Sequence, residues 1–117
     1  MTTVELKLQD YLQHMLEATR LAQQYIAGMS KADFLADRRT QQAVVLNLIT
    51  IGEVASRLMS EHPKFADDNG GIPWRQMRGM RNRMAHGYFD INLEIVWETV
   101  KTSLPDLERQ IGGARSR

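Results

Sequence analysis

The chain has 117 residues, a formal net charge of +1 and no cysteine. That length fits one domain, and the missing cysteine excludes a disulfide framework, a thiolate nucleophile and a zinc–thiolate site. A near-neutral body does not coat nucleic acid by bulk charge, and no apolar run approaches the roughly 20 residues of a membrane span.

Residues 4 to 29 read as the first helix, because Leu8, Tyr11, Leu12, Met15, Ala22, Tyr25, Ile26 and Met29 recur at spacings of three and four. Charged residues run through its start, unlike a signal peptide; with the missing cysteines this suits a reducing cytoplasm. Gly28 and Ser30 mark its end, and Ser30-Lys-Ala-Asp33 has the pattern of a capping sequence for a short turn. A longer helix is expected over 37 to 61. Val44, Leu48, Ile51, Ala55 and Leu58 form one stripe, widened by Val45, Ile49 and Met59, as in a central helix with neighbours on several sides. HPKFADDNGGIP then reads as the longest loop. Pro73 suits a first turn, so a third helix starts near Trp74 and runs to His86, with Gly87 as a left-handed stop. Asp90 or Asn92 can cap a fourth helix, 92 to 111, lined by Leu93, Val96, Trp97, Val100, Leu104, Leu107 and Ile111. Pro105 lies inside it and should kink or break it. Nothing reads as a strand. The pattern predicts an all-α antiparallel bundle of four to five helices in one domain, 1–111, with a flexible tail, 112–117.

The third helix carries the chemistry. Met77, Met80 and Met84 share one face, while Arg75, Arg78, Arg81 and Arg83 crowd the others. Arginine presents a fork of donors that fits a phosphate, and His86 can exchange a proton near neutral pH. A helix C-terminus favours the charged imidazole modestly. Together these are parts for cutting RNA without a metal. A base takes the 2′-hydroxyl proton, the oxygen attacks phosphorus, and arginine stabilises the developing charge. Asn82 can orient a partner or the ribose. In an unbroken helix, however, Arg81 and His86 lie roughly 140° apart. Either Gly87 ends the helix and lets His86 swing, or two copies meet about a two-fold axis and share a cleft. The plain alternative is that an R-x-x-x-x-H pair is ordinary at a helix end. Tyr88 could position substrate or accept a covalent group, or simply pack beside Phe89.

Other polar residues invite simpler readings. Glu53 with Arg57 four positions on forms a common surface helix pair, although a contact from Glu53 across to Arg81 is conceivable. Gly52 can permit close helix packing. Arg38 and Arg39 fit a solvated helix start. His14 and His62 have no partner at ligand spacing, so no metal is assigned. Trp74 and Trp97 read as core anchors.

The segment IPWRQMRGMRNRMAHGYFDINLEIVWETV resembles the HepT-like members of the HEPN superfamily, and DRRTQQAVVLNLITIGEVASRL resembles their central helix. The likeness covers roughly residues 5 to 110, with IGE, IPW and R-N-x-x-x-H-x-Y in the same order. It implies a homodimer with the motif at the interface, and a metal-independent ribonuclease toxin that needs no cofactor. Arg81 and His86 match the catalytic pair and Asn82 the polar residue after the arginine. Tyr88 matches the tyrosine that a partner antitoxin, a minimal nucleotidyltransferase, modifies with AMP. Arg78 is the first auxiliary candidate for RNA phosphate, followed by Arg75 and Arg83. Two other readings remain at this level: a non-catalytic dimeric partner or substrate of the nucleotidyltransferase, and a plain dimeric scaffold.

Overall fold

A computed structural model describes residues 3–115, with side chains from Lys7 onward. It is all helix, with no strand among the described residues. The first helix, α1 (Thr3–Tyr25), stops before Gly28, whose φ of 80° suits a residue without a Cβ. Next comes α2 (Lys31–Leu35), started by the expected capping box. The Asp33 amide donates to Ser30 Oγ and the Ser30 amide donates to the Asp33 carboxylate, each at 3.0 Å.

The long α3 (Arg38–Glu61) is capped by Asp37, which accepts from the Thr40 amide at 3.1 Å. That bond holds the Asp37 carboxyl below the usual carboxylate range. By length and hydropathy α3 could cross a membrane, but Val44, Leu48, Ile51, Ala55 and Leu58 are buried in the core. It packs against α1 on one side and, on the other, against α5 (Trp74–His86). The wide apolar stripe of α3 is thus the centre of the bundle.

Three expectations need correction. The stretch after His62 is not wholly loop: Pro63–Asp68 forms α4. Pro63 stands in its first turn, where a missing amide costs nothing. Its carbonyl end is then tied down, because Trp74 Nε1 donates to the carbonyls of Ala66 and Asn69, each at 3.2 Å. Gly87 ends α5 without turning left-handed, at φ −119° and ψ 43°. Its amide donates to the Arg83 carbonyl at 2.8 Å. A Cβ there would stand 3.0 Å from that same oxygen, so the glycine serves a close approach rather than a positive φ. Finally, the C-terminal helix runs through Gly112 and Gly113 to Arg115 with Ala114 buried, where a flexible tail was expected from residue 112. Ser116 and Arg117 lie outside the described residues.

Asn92 caps α6 (Leu93–Glu98), its Oδ1 accepting from the amides of Glu94 and Ile95. One π-helical turn, Thr99–Ser103, joins α6 to α7 (Leu104–Arg115). Pro105 gives the reason. It has no amide for the carbonyl four residues back, and the backbone widens just before it, with the Leu104 amide donating to the Thr99 carbonyl. The expected break is therefore an insertion of one wide turn, and Val96, Val100, Leu104, Leu107 and Ile111 all remain buried.

Candidate active site

No acidic residue occurs in α5, whose sequence is WRQMRGMRNRMAH. Its register against α3 is set at Gly52. A Cβ on Gly52 would lie 2.3 Å from Arg81 Cβ and 2.5 Å from the Met77 carbonyl oxygen. The two helices touch there nearly backbone to backbone, which only glycine allows. The contact presses the stem of Arg81 onto α3.

Arg81 is consequently part-buried, whereas Arg75, Arg78 and Arg83 of the same helix are exposed. Its side chain is 23% exposed, and Nη1 stands 3.7 Å from a Glu53 carboxylate oxygen. Its Nε is buried and has no partner among the described residues. Glu53 is shared, since Arg57 Nε donates to its other oxygen at 3.1 Å. Charges alternate onward along α3. Arg57 faces Glu61 at 4.0 Å, and Glu61 pairs with Lys7 at 2.8 Å and accepts from the Tyr11 hydroxyl. The Lys7 hydrogen bond holds the Glu61 carboxyl below its usual range. The site arginine thus sits at the end of a carboxylate–guanidinium row. The ordinary Glu53–Arg57 pair is present, and Glu53 also makes the interhelical contact that the sequence left open.

The helix stays regular through His86, its last residue. Gly87 ends the helix as expected but His86 is still helical, so the two side chains leave one α5 about 140° apart. His86 and Asn82 are exposed. Past Gly87 the chain makes one 3-10 turn, Tyr88–Asp90. Tyr88 is half exposed, and its ring meets Phe89 edge-on at 6.3 Å between centroids.

The auxiliary arginines separate. Arg75 and Arg78 line a groove of about 740 Å³ with Asp67, Gly70 and Trp74. Arg83 instead borders a smaller cavity with Asp90 and Asn92. All three are exposed and have no ion pair among the described residues. Both tryptophans are buried, in keeping with core anchors. Among the described residues no three His, Asp or Glu side chains gather as metal ligands could. Sequence reasoning missed the α4 wall of the Arg75–Arg78 groove. The first-turn proline and the apolar Phe65-Ala66 pair were its available signals.

Among the described residues the bundle has no strand, and its basic helix carries an arginine paired with a carboxylate and ends on a histidine. The chain belongs to the ribonuclease HepT-like family, whose model matches residues 15–112. It is 35% identical over 101 residues to "Putative RNase TTE0752" of Caldanaerobacter subterraneus subsp. tengcongensis, an alignment covering 86% of this chain and 88% of that protein. It is 34% identical over 99 residues to "Probable ribonuclease HepT" of Thermococcus cleftensis, covering 85% and 87% respectively. No solved structure matches the chain.

Proposed function

We propose that the chain is a metal-independent endoribonuclease, the toxin of a HepT–nucleotidyltransferase pair, acting in the cytoplasm as a homodimer. The observation that carries this reading is the regular course of α5 through His86 with Arg81 clamped against Gly52 and Glu53. Two copies of the helix about a two-fold axis would bring the Arg81 of one to the His86 of the other. In that cleft a neutral imidazole takes the ribose 2′-hydroxyl proton, and the oxygen attacks the adjacent phosphorus. A 2′,3′-cyclic phosphate forms and the bond to the 5′-oxygen breaks. The same imidazole, now protonated, returns that proton to the leaving oxygen. Arg81 offsets the charge on the phosphoryl oxygens, Asn82 orients the ribose, and Arg78, Arg75 and Arg83 contribute weaker contacts to flanking phosphates.

Tyr88 is the site of control. Its phenol oxygen attacks the α-phosphorus of ATP on the partner nucleotidyltransferase, pyrophosphate leaves, and AMP remains on the ring. The added bulk and negative charge oppose RNA entry. The half exposure of Tyr88 equally suits a second reading, in which the chain is a non-catalytic partner and substrate of that transferase.

Purified, unmodified protein is expected to cut RNA in the presence of a chelator and to leave 2′,3′-cyclic phosphate ends. A folded dimer that leaves RNA intact would favour the second reading. Glu53→Gln gives a finer test. It frees the guanidinium to wander but removes a negative charge near the phosphate. We expect kcat to fall about 10- to 100-fold with RNA affinity equal or tighter. A parallel loss of RNA affinity would show that Glu53 does not position Arg81.

A further inference from the structure

The cutting step just described leaves unused a second groove, beside Tyr88. It encloses about 360 Å³ between the start of α3 and the turn after α5, within the roughly 300–1,000 Å³ of small-ligand pockets. Its chemistry is mixed in a particular way. Phe89 is 100% exposed, a large apolar ring that meets only the edge-on Tyr88 ring among the described aromatic contacts. Ile91 and Leu93 line the groove beside it. Arg38 opens it at the other side, exposed and without an ion pair among the described residues. Gln42, one turn along α3 on the same face, is exposed as well. Its neighbour Gln41 differs, because its amide is already spent on the carbonyls of Phe34 and Leu35 at 2.9 and 3.1 Å. No acidic side chain lines the groove.

An occupant that used all of this lining would carry a flat apolar face, hydrogen-bonding edges and an anion within one small volume. We infer that this groove binds a single nucleoside 5′-monophosphate unit, with its base against Phe89 and its phosphate at Arg38. The base stacks on the exposed ring, the Gln42 amide offers both a donor and an acceptor to the base edge, and the Arg38 fork takes the phosphate oxygens. Because Tyr88 lines the same groove, the unit is either the AMP carried by that tyrosine or a nucleotide of an RNA strand. The inference deepens the proposed reading of Tyr88 and rests on it for its biological source, while its test reads binding rather than cleavage.

The test is a titration of the unmodified protein, followed by the amide NMR signals of Arg38, Gln42 and Phe89. AMP is expected to shift all three saturably, and adenosine and ribose 5-phosphate to bind at least about 10-fold more weakly. Arg38→Ala should bring AMP down to the affinity of adenosine, and Phe89→Ala down to that of ribose 5-phosphate. Both side chains are exposed, so unchanged melting temperatures will verify that the variants fold. Protein carrying AMP on Tyr88 should no longer take up free AMP. Continued uptake would assign the groove to a nucleotide of the RNA strand instead. The inference is overturned if AMP causes no saturable shift at the groove. It is also overturned if Phe89→Ala weakens self-association and leaves AMP affinity unchanged, since a second copy would then be what covers the ring. Failure of the wild-type protein to cut RNA would remove the nuclease reading without altering this titration.

Discussion

Arg81→Ala and His86→Ala proteins, each inactive alone, are expected to recover about a quarter of wild-type RNA cleavage when their subunits are mixed. The argument follows from the course of α5. The helix is regular through His86, so the two side chains of one chain diverge by about 140°. If each centre takes its arginine from one subunit and its histidine from the other, a mixed dimer holds one intact centre and one doubly defective centre. Random exchange makes about half of the dimers mixed, and half of their centres work. Each variant alone lacks either the group that moves the proton or the group that offsets phosphoryl charge, and should lose about 10²- to 10⁴-fold. The measurement is initial cleavage rate after exchange, with mixed dimers counted by a mass tag on one variant. Mixed dimers that form but stay as inactive as their parents would place the arginine and histidine of each centre within one chain. Activity retained by pure His86→Ala would remove the histidine from the chemistry altogether.

The architecture was legible because its long helices announce themselves by period. The stripes of α1 and α3 recur at three and four residues, and most of those positions are buried or partly buried, with Tyr25 the exposed exception. The Ser30–Asp33 box and the Asn92 cap were readable because a cap is local, needing only a side-chain oxygen two or three residues before an orphan amide. The six residues of α4 were marked only by Pro63 and the Phe65-Ala66 pair, since so short a helix shows no period and its carbonyl end is held by Trp74, eight residues past Ala66. The wide turn before Pro105 was not readable. Sequence shows that a proline removes a hydrogen bond, but not how the backbone redistributes the loss. The GGARSR tail misled for a related reason, because paired glycines lower helix propensity while Ala114 gains burial. At the site, the residue types in the motif gave the chemistry and the family resemblance gave the roles. Glu53 stayed ambiguous because Arg57, four residues on, accounts for it without any second helix. Its contact with Arg81 depends on how closely two helices approach, and that distance is encoded in a neighbour, Gly52.

Gly52→Ala should accordingly be among the most damaging small substitutions in the chain. Elsewhere in a helix, replacing glycine by alanine gains about 1 kcal/mol of propensity. Here the new methyl would meet Arg81 Cβ at 2.3 Å and the Met77 carbonyl oxygen at 2.5 Å. Neither can rotate aside, because one is fixed to the backbone and the other belongs to it. The helices must move apart, and forced overpacking of this kind costs about 1–3 kcal/mol. Set against the propensity gain, this leaves an expected net loss of up to about 2 kcal/mol in urea unfolding, and a larger one for Gly52→Val. Separation also carries Arg81 away from Glu53 and from its place in the cleft, so cleavage should fall about 100-fold even where the fold survives. Gly79→Ala is the matched control in α5. Its methyl would meet Arg83 Nη1 at 3.4 Å, the movable end of a flexible side chain, so it should leave stability unchanged or raise it by up to about 1 kcal/mol. Equal behaviour of the two alanine variants would mean that α3 and α5 do not meet at Gly52. The clamp on Arg81, and with it the reason for reading that arginine as pre-set for phosphate, would then be gone.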